Sequence, residues 1–301
     1  MRAVQFSEFG SAERLRIVEV PVPEPGPGQV RVAVRAAGVN PIDWKIRRGL
    51  MTRIAPVEFP HIPGIEVAGV VDAVGEGAPF TPGDEVFGWS RGSGSYAEFA
   101  LASVLALKPA GLSWAEAAAL PVSGETAVRA LNALDVAAGD TLLVNGAGGS
   151  VGSLAVQFAV GRGAEVVGTV GEAGEEYVRT LGATPVRYGD GLVQRVRAVA
   201  DRVDAVLDAA GYGMLPDAVE LRGGTDRILT IADPAAIGLG IAFSGEGDEN
   251  GAVLADLADQ AVAGKLRVKL AAAFPLEQAA EAQLLSETGH PGGKITLEVG
   301  A

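Results

Sequence analysis

The stretch Leu142-Leu143-Val144-Asn145-Gly146-Ala147-Gly148-Gly149-Ser150-Val151-Gly152 runs from apolar residues through glycines into a helix-forming segment. Gly146, Gly149 and Gly152 form a G-x-x-G-x-x-G pattern, a relative of the G-x-G-x-x-G dinucleotide fingerprint. Glycines at this spacing permit a tight turn and let the main chain approach a pyrophosphate closely. The amides of Ser150 and Val151 at the helix start then supply donors and the positive end of a helix dipole. An NAD-type fingerprint carries an acid about twenty positions on, at the end of the second strand, where it grips the ribose 2′-hydroxyl. Here that strand ends Val167-Gly168-Thr169-Val170 with no acid at its tip, which leaves room for a 2′-phosphate. Glu172, Glu175 and Glu176 follow and would repel one, and Arg179 and Tyr188 are the nearest groups to hold it. The pattern leans toward NADPH, with NADH open, and Thr169 counts among the cofactor contacts.

Such a loop needs a strand before it and a helix after it. Continuous apolar strands over Thr141 to Asn145, Glu165 to Val170, Asp204 to Asp208 and Ile228 to Ile231 alternate with helices. One helix runs from about Val151 to Val160, and another passes through Tyr177, Val178 and Leu181 and stops at Gly182. This alternation predicts a parallel sheet covered on both faces. Ligands bind at the carboxyl edge of such sheets, which brings in Ala210 of Ala209-Ala210-Gly211 and Ala232 of Ile231-Ala232-Asp233, the latter alongside the nicotinamide. Before about residue 110 the texture differs. Leu15 to Val20, Gln29 to Val34 and Ile65 to Val74 are short β-type runs, separated by the Pro-rich connection 21–28 and by Gly75-Glu76-Gly77. They predict a barrel-like or sandwich-like β domain. Ser113-Trp114-Ala115-Glu116 reads as a capping box opening an Ala-rich helix. The tail from Gly293-Lys294-Ile295 to Val299 reads as a strand returning to the first domain.

Composition narrows the chemistry. The chain has 301 residues, enough for two domains with substantial cores at roughly 150 residues each. Its 24 basic and 37 acidic residues give a net charge of −13, a field that repels phosphate backbones and anionic lipid and excludes nucleic-acid and membrane partners. Cysteine is absent, which removes disulfides, thiolate nucleophiles and thiolate metal ligands. Two histidines, His61 and His290, cannot build a three-histidine zinc site. No apolar run reaches the ~18 residues of a membrane span, and the polar amino terminus does not read as a signal peptide. The expectation is a soluble, cytoplasmic protein acting on a small molecule.

Further motifs carry a resemblance. Gly38-Val39-Asn40-Pro41-Ile42-Asp43-Trp44-Lys45, Pro63-Gly64-Ile65-Glu66-Val67-Ala68-Gly69, Gly83-Asp84-Glu85-Val86-Phe87-Gly88 and Thr126-Ala127 resemble the medium-chain dehydrogenase/reductase superfamily, in its zinc-independent quinone oxidoreductase branch. The motifs keep the family order over nearly the whole chain. The resemblance implies a Rossmann doubly wound parallel sheet (122–265) plus a GroES-like, mainly-β substrate domain (1–121, completed by about 266–301), assembled as a homodimer. It also implies transfer of hydride from NAD(P)H to a quinone or activated enone. Zinc-dependent relatives carry a Cys near Asn40 and a His near Ile65. Both are missing here, so no metal is expected. Two rival readings are an enoyl or enone reductase of a biosynthetic pathway, acting on a polyketide-like or thioester substrate, and a non-catalytic NADPH-binding structural or regulatory protein.

Carried over by motif, Asn40 is implied to lie in the substrate cleft near the nicotinamide, where its amide would donate to a carbonyl oxygen as charge develops. The bland reading is a turn-forming Asn before Pro41. Asp43 and Lys45 would share a face on a strand and diverge on a helix. Lys45 would attract a cofactor phosphate, hydrogen-bond a carbonyl or deliver a proton, or would be a solvated surface ammonium; Asp43 is expected to pair Arg47 or Arg48. The tyrosines found in this region of quinone reductases are replaced by Lys45 and Met51, which leaves Trp44 as the stacking surface for substrate. Thr126 is implied beside the nicotinamide or its adjoining phosphate. Phe243 closes over the ring or packs in the core. Glu66 orients backbone or pairs a basic side chain, His61 is structural, His290 sits in an exposed turn, and Glu246-Gly247-Asp248-Glu249 is a solvated loop.

Overall fold

The computed structural model describes residues 1–301 except 91, 93, 245, 246, 248, 290 and 301. His290, Glu246 and Asp248 therefore lie outside the described residues. The chain divides into two compact units, Met1–Val122 with Glu249–Ala301, and Ser123–Asp248.

The first unit opens with an antiparallel pair, β1 (Arg2–Gln5) and β2 (Arg16–Glu19). The Pro-rich connection then leads to β3 (Val30–Val39), helix α1 (Pro41–Arg47), β4 (Glu66–Val74), β5 (Glu85–Trp89), β6 (Phe99–Ala102), β7 (Val104–Leu107) and helix α2 (Trp114–Ala119). Asn40 supplies the N-cap of α1 and Pro41 its first residue, a pairing that suits a helix start because proline lacks the amide that would go unused there. A helix separates i and i+2, so Asp43 is buried while Lys45 is half-buried. Helix α2 opens as the capping box predicts: Glu116 N donates to Ser113 Oγ at 3.2 Å and Ser113 N donates to the Glu116 carboxylate at 2.9 Å.

Helix α3 (Pro121–Ala133) leads into the second unit, which alternates strictly: β8 (Thr141–Asn145), α4 (Ser150–Gly161), β9 (Glu165–Val170), α5 (Glu175–Thr180), β10 (Thr184–Arg187), α6 (Leu192–Arg197), β11 (Ala205–Asp208), α7 (Leu215–Arg222), β12 (Ile228–Thr230), α8 (Ala236–Leu239) and β13 (Ala242–Phe243). All six strands are parallel in the order β10-β9-β8-β11-β12-β13, the doubly wound Rossmann order, whose direction reverses between β8 and β11. Every residue of β8 and β11 is buried, as strands covered on both faces require. Leu143, Val167, Val206 and Ile228 pack there with Leu192, Val196 and Leu215 from helices on the sheet.

The chain then adds α9 (Gly251–Val262), β14 (Leu270–Pro275), α10 (Ala279–Glu287) and β15 (Lys294–Glu298) to the first unit. Its return falls at 249 rather than near 266, because α9 packs against β7. The tail is a strand, as its sequence suggests: β15 pairs antiparallel with the end of β3, Ile295 opposite Val39 and Leu297 opposite Ala37. The resulting seven-stranded path β14-β15-β3-β4-β5-β7, with β6 on the other half of β3, encloses Val32, Val34, Val67, Val86, Ile295 and Leu297. Full burial of each such aliphatic side chain contributes about 1.5–3 kcal/mol. The two units together are the Rossmann sheet and the GroES-like, mainly-β unit that the motifs imply.

Candidate functional site

The candidate residues divide between the two units. In the second unit the Gly146–Gly152 loop sits where the strand order reverses, after β8 and beside the turn that follows β11. Gly146 has φ +81° and Gly152 packs so closely that a Cβ there would stand 2.2 Å from the Gly146 carbonyl oxygen. Gly149, the N-cap of α4, differs: an added Cβ would meet only that same oxygen, at 3.3 Å, within 4 Å. The loop is thus tightest at its ends and less crowded at its middle. The first-turn amides of Ser150 and Val151 have no intrahelical acceptor by geometry, and they head a helix twelve residues long. Such a cradle fits a dinucleotide pyrophosphate.

Behind the loop, a chain of buried hydrogen bonds crosses four neighbouring strand ends. Thr169 Oγ1 accepts from Gly146 N at 3.0 Å and donates to Asn145 Oδ1 at 2.6 Å. Asn145 Nδ2 donates to Asp208 Oδ1 at 2.8 Å and to the Gly211 carbonyl at 3.2 Å. Asp208 Oδ1 also accepts from Ala210 N at 3.2 Å and Gly211 N at 2.7 Å, and Oδ2 accepts from Thr230 Oγ1 at 2.7 Å. Thr230 Oγ1 in turn accepts from Ala232 N at 3.1 Å and Asp233 N at 3.0 Å. Three of the expected contacts change character. Thr169 is fully buried with its hydroxyl committed to protein, so it holds the loop from below. The amides of Ala210 and Ala232 are likewise turned inward, to Asp208 and Thr230. Asn145, Asp208 and Thr230 went unread in the sequence, although polar residues closing three otherwise apolar strands were the available signal.

At the tip of β9, Arg187 of β10 stands opposite Val170 in the ladder. Its guanidinium pairs with Glu175 at 2.8 Å and Glu172 at 3.3 Å, while Arg179 pairs with Glu175 at 3.1 Å and Glu176 at 3.4 Å. The hydrogen bond from Arg187 holds the Glu175 carboxyl below its ordinary range. The carboxylates that would repel a 2′-phosphate are therefore partly neutralised, by an arginine the sequence reading passed over. Tyr188 follows it, half exposed, with its hydroxyl against Gly171. Thr126 is buried in α3, and Phe243 lies 40% exposed on the edge strand β13 rather than in the core.

In the first unit, Asn40 has both ends of its amide engaged. Nδ2 donates to Glu66 Oε2 at 2.6 Å, and Oδ1 accepts from Lys294 Nζ at 2.7 Å. Lys294 also donates to Glu66 Oε2, closing a buried triangle, and Glu66 Oε1 accepts from Val122 N at 2.7 Å. Glu66 thus both pairs a basic side chain and orients backbone. Gly38 makes room for it, since a Cβ there would stand 2.1 Å from the carboxylate. One hydrogen of the Asn40 amide remains for another acceptor.

Asp43 pairs neither Arg47 nor Arg48. It accepts from Asn40 N at 2.8 Å and Tyr96 Oη at 2.9 Å, and its Oδ1 is buried with no hydrogen-bond partner. Burial pushes its carboxyl up to about 7. Arg47 bonds instead to Gln283, Glu287 and the Gly10 carbonyl. Lys45 Nζ lies 5.7 Å from the centre of the Trp44 ring, and burial holds its ammonium below the usual lysine range. The Trp44 indole N–H is buried without a partner. Met51 occupies the turn after α1, half-buried, its carbonyl accepting from Ile54 N and Ala55 N. His61 bridges to Phe6 through main-chain hydrogen bonds and an edge-on ring contact at 5.3 Å, a structural role. Among the described residues no group of three or more His, Asp or Glu is placed to hold a metal.

Comparison with known proteins adds to this geometry. Residues 26–130 match the alcohol dehydrogenase GroES-like domain, and residues 150–232 match the zinc-binding dehydrogenase family. A quinone oxidoreductase of Mus musculus is 32% identical over 99% of this chain and 98% of its own. A 2-methylene-furan-3-one reductase of Solanum lycopersicum is 32% identical over 99% of this chain and 79% of its own. A mycobacterial protein whose structure was solved with NADPH superposes with a TM-score of 0.85 at 27% identity, covering 99% of this chain and 100% of the other. The chain belongs to the medium-chain dehydrogenase/reductase superfamily, in its quinone oxidoreductase-like branch.

Proposed function

We propose that the protein is an NAD(P)H-dependent oxidoreductase that reduces a quinone or an activated enone. The observation that carries this reading is the glycine cradle at the reversal point of a doubly wound sheet, in a chain whose full-length relatives are reductases of those two compound classes. Gly146, Gly149, Gly152, Ser150 and Val151 hold the pyrophosphate, and the turns at Ala210 and Ala232 and the side chain of Thr126 flank the nicotinamide. When bound, the reduced nicotinamide supplies the hydride. NADPH is the favoured form, because no acid ends β9 and Arg187 stands beside that end with Tyr188 next to it.

Asn40 polarises the substrate carbonyl with its remaining amide hydrogen. Its orientation is already fixed by Glu66 and Lys294, so little reorganisation accompanies the reaction. Trp44, Met51 and Phe243 offer apolar surface to the substrate, and Lys45 or water returns the proton. The residues present do not fit a catalytic zinc. Neither Asn40 nor Ile65 offers a ligand of the kind zinc enzymes use there, and Glu66 is already committed to an ammonium. The reaction is therefore read as zinc-independent. The relatives favour this reading over the thioester and non-catalytic ones. The homodimer expected from the resemblance is kept as part of the reading and is open to light scattering.

The test is loss of reduced-nicotinamide absorbance, with NADPH and NADH each paired against a para-quinone and an α,β-unsaturated ketone. Turnover in at least one pairing is expected, with NADPH preferred. Silence in all four, with cofactor bound, would overturn the catalytic reading. Asn40→Ala should lower kcat about tenfold or more while leaving NADPH affinity near that of the wild type.

A further inference from the structure

Asp208 is 0% exposed, and its partners among the described residues are all neutral: the Asn145 amide, two backbone amides and the Thr230 hydroxyl. A carboxylate in such a place is costly unless its lone pairs are filled, and an apolar side chain would serve packing as well. What a carboxylate adds is direction, because it accepts at every position and donates at none. The Thr230 hydroxyl must give its proton to Asp208, so its lone pairs face Ala232 N and Asp233 N. Asn145 must turn its Nδ2 to Asp208, so its Oδ1 faces Thr169, whose hydroxyl lone pair then meets Gly146 N. This acceptor-only group, with the Gly211 carbonyl beside it on the Asn145 amide, thereby sets the sense of the side-chain bonds from β9 to β12.

We infer that Asp208 is the positioning residue of the cofactor site, holding the turn that carries the pyrophosphate (through Asn145 and Thr169) and the turn beside the nicotinamide (through Thr230) in one fixed arrangement. This rests on the reading of the second unit as a nicotinamide dinucleotide site. Asp208 touches no cofactor in this scheme; it orders the amides around it. An asparagine in its place must present an N–H₂ either to Thr230 or to the three donors on the other side, and whichever face receives it loses its anchor.

The experiment is calorimetric titration of the full-length protein with NADPH and with adenosine 2′,5′-bisphosphate, which lacks the nicotinamide half. Thr230→Val should weaken NADPH roughly tenfold, the loss of about one buried hydrogen bond to each of two amides, and leave the bisphosphate unchanged. Thr169→Val should weaken both ligands, because it frees the Gly146 amide. Asp208→Asn should weaken NADPH at least as much as either. A merely structural role would lower melting temperature without changing the ratio of the two affinities. The inference is overturned if all three folded variants keep the wild-type ratio, or if Asp208→Asn binds NADPH normally. If Asp208→Asn does not fold, the two threonine variants decide the matter. Wild-type protein that binds neither ligand, nor NADH in a parallel titration, overturns the dinucleotide reading, and this inference with it.

Discussion

Burial lifts the Asp43 carboxyl from its usual 3.8 to about 7, and its Oδ1 is buried without a hydrogen-bond partner that would favour the charged form. Between those values the folded protein binds a proton that the unfolded chain has released. Stability from this group is therefore complete below about pH 4 and is lost as pH rises toward 7, at up to about 1.4 kcal/mol per pH unit. His61, held below its ordinary range by burial, acts in the opposite sense as pH approaches 6.5 from below, since its proton is then bound mainly in the unfolded chain. Chemical denaturation of wild type and Asp43→Asn between pH 5 and 7.5 separates the two, because His61 cancels in the difference. The variant should gain stability relative to wild type as pH rises, and a constant difference would place the Asp43 titration elsewhere. At this scale the sequence was legible where chemistry is local: the glycine spacing, and Asn40 ahead of Pro41. It was silent where partners meet across the chain. Lys294 reaches Asn40 over 254 positions, and Asp208 reaches Asn145 over 63, so no window along the sequence holds both halves of either contact.

The loop between β8 and α4 separates what folds from what binds. Gly152 cannot accept a Cβ without displacing the Gly146 carbonyl oxygen, 2.2 Å away, whereas a Cβ on Gly149 would meet that oxygen at 3.3 Å and nothing else within 4 Å, a contact that a shift of a few tenths of an ångström relieves. Gly149→Leu should therefore keep its melting temperature near that of the wild type and lose NADPH affinity tenfold or more by steric exclusion. Gly152→Ala should lose about 1–3 kcal/mol of stability through overpacking, measured by denaturant titration. Equal loss of stability in both would remove the distinction. Long, strongly patterned elements were readable, including β8, β9 and the α4 helix, because burial on both faces leaves a continuous apolar run. Helix α1 was ambiguous, as seven residues scarcely establish a period; its Asn-Pro start settles it in the structure. β10 and β13 are four and two residues long, too short for alternation to show. Missing β10 meant missing Arg187.

For the molecule as a whole, cofactor binding is linked to folding. At a hundredfold excess over its Kd, NADPH should add about 2.7 kcal/mol of stability, seen as a rise in melting temperature. NADH at the same concentration should add less, and Arg187→Ala should bring the NADPH shift down toward the NADH value. Equal shifts from both forms in the wild type would remove Arg187 from coenzyme choice. The division into two units was readable from texture, whereas the point of return was not, because α9 is an amphipathic helix whose packing partner lies outside its own sequence. That division also orders events on the ribosome. The second unit is one contiguous run, 123–248, and can close its sheet as soon as that run has emerged. The first unit cannot follow the usual amino-terminal-first course. Strand β3 waits, with one half of an edge bare, until β15 arrives more than 250 residues later, and the Asn40–Glu66 pair stays without its ammonium for the same interval. The unit made first is thus the last to be finished, and in the meantime it exposes a hydrophobic strand edge to chaperones and to neighbouring chains.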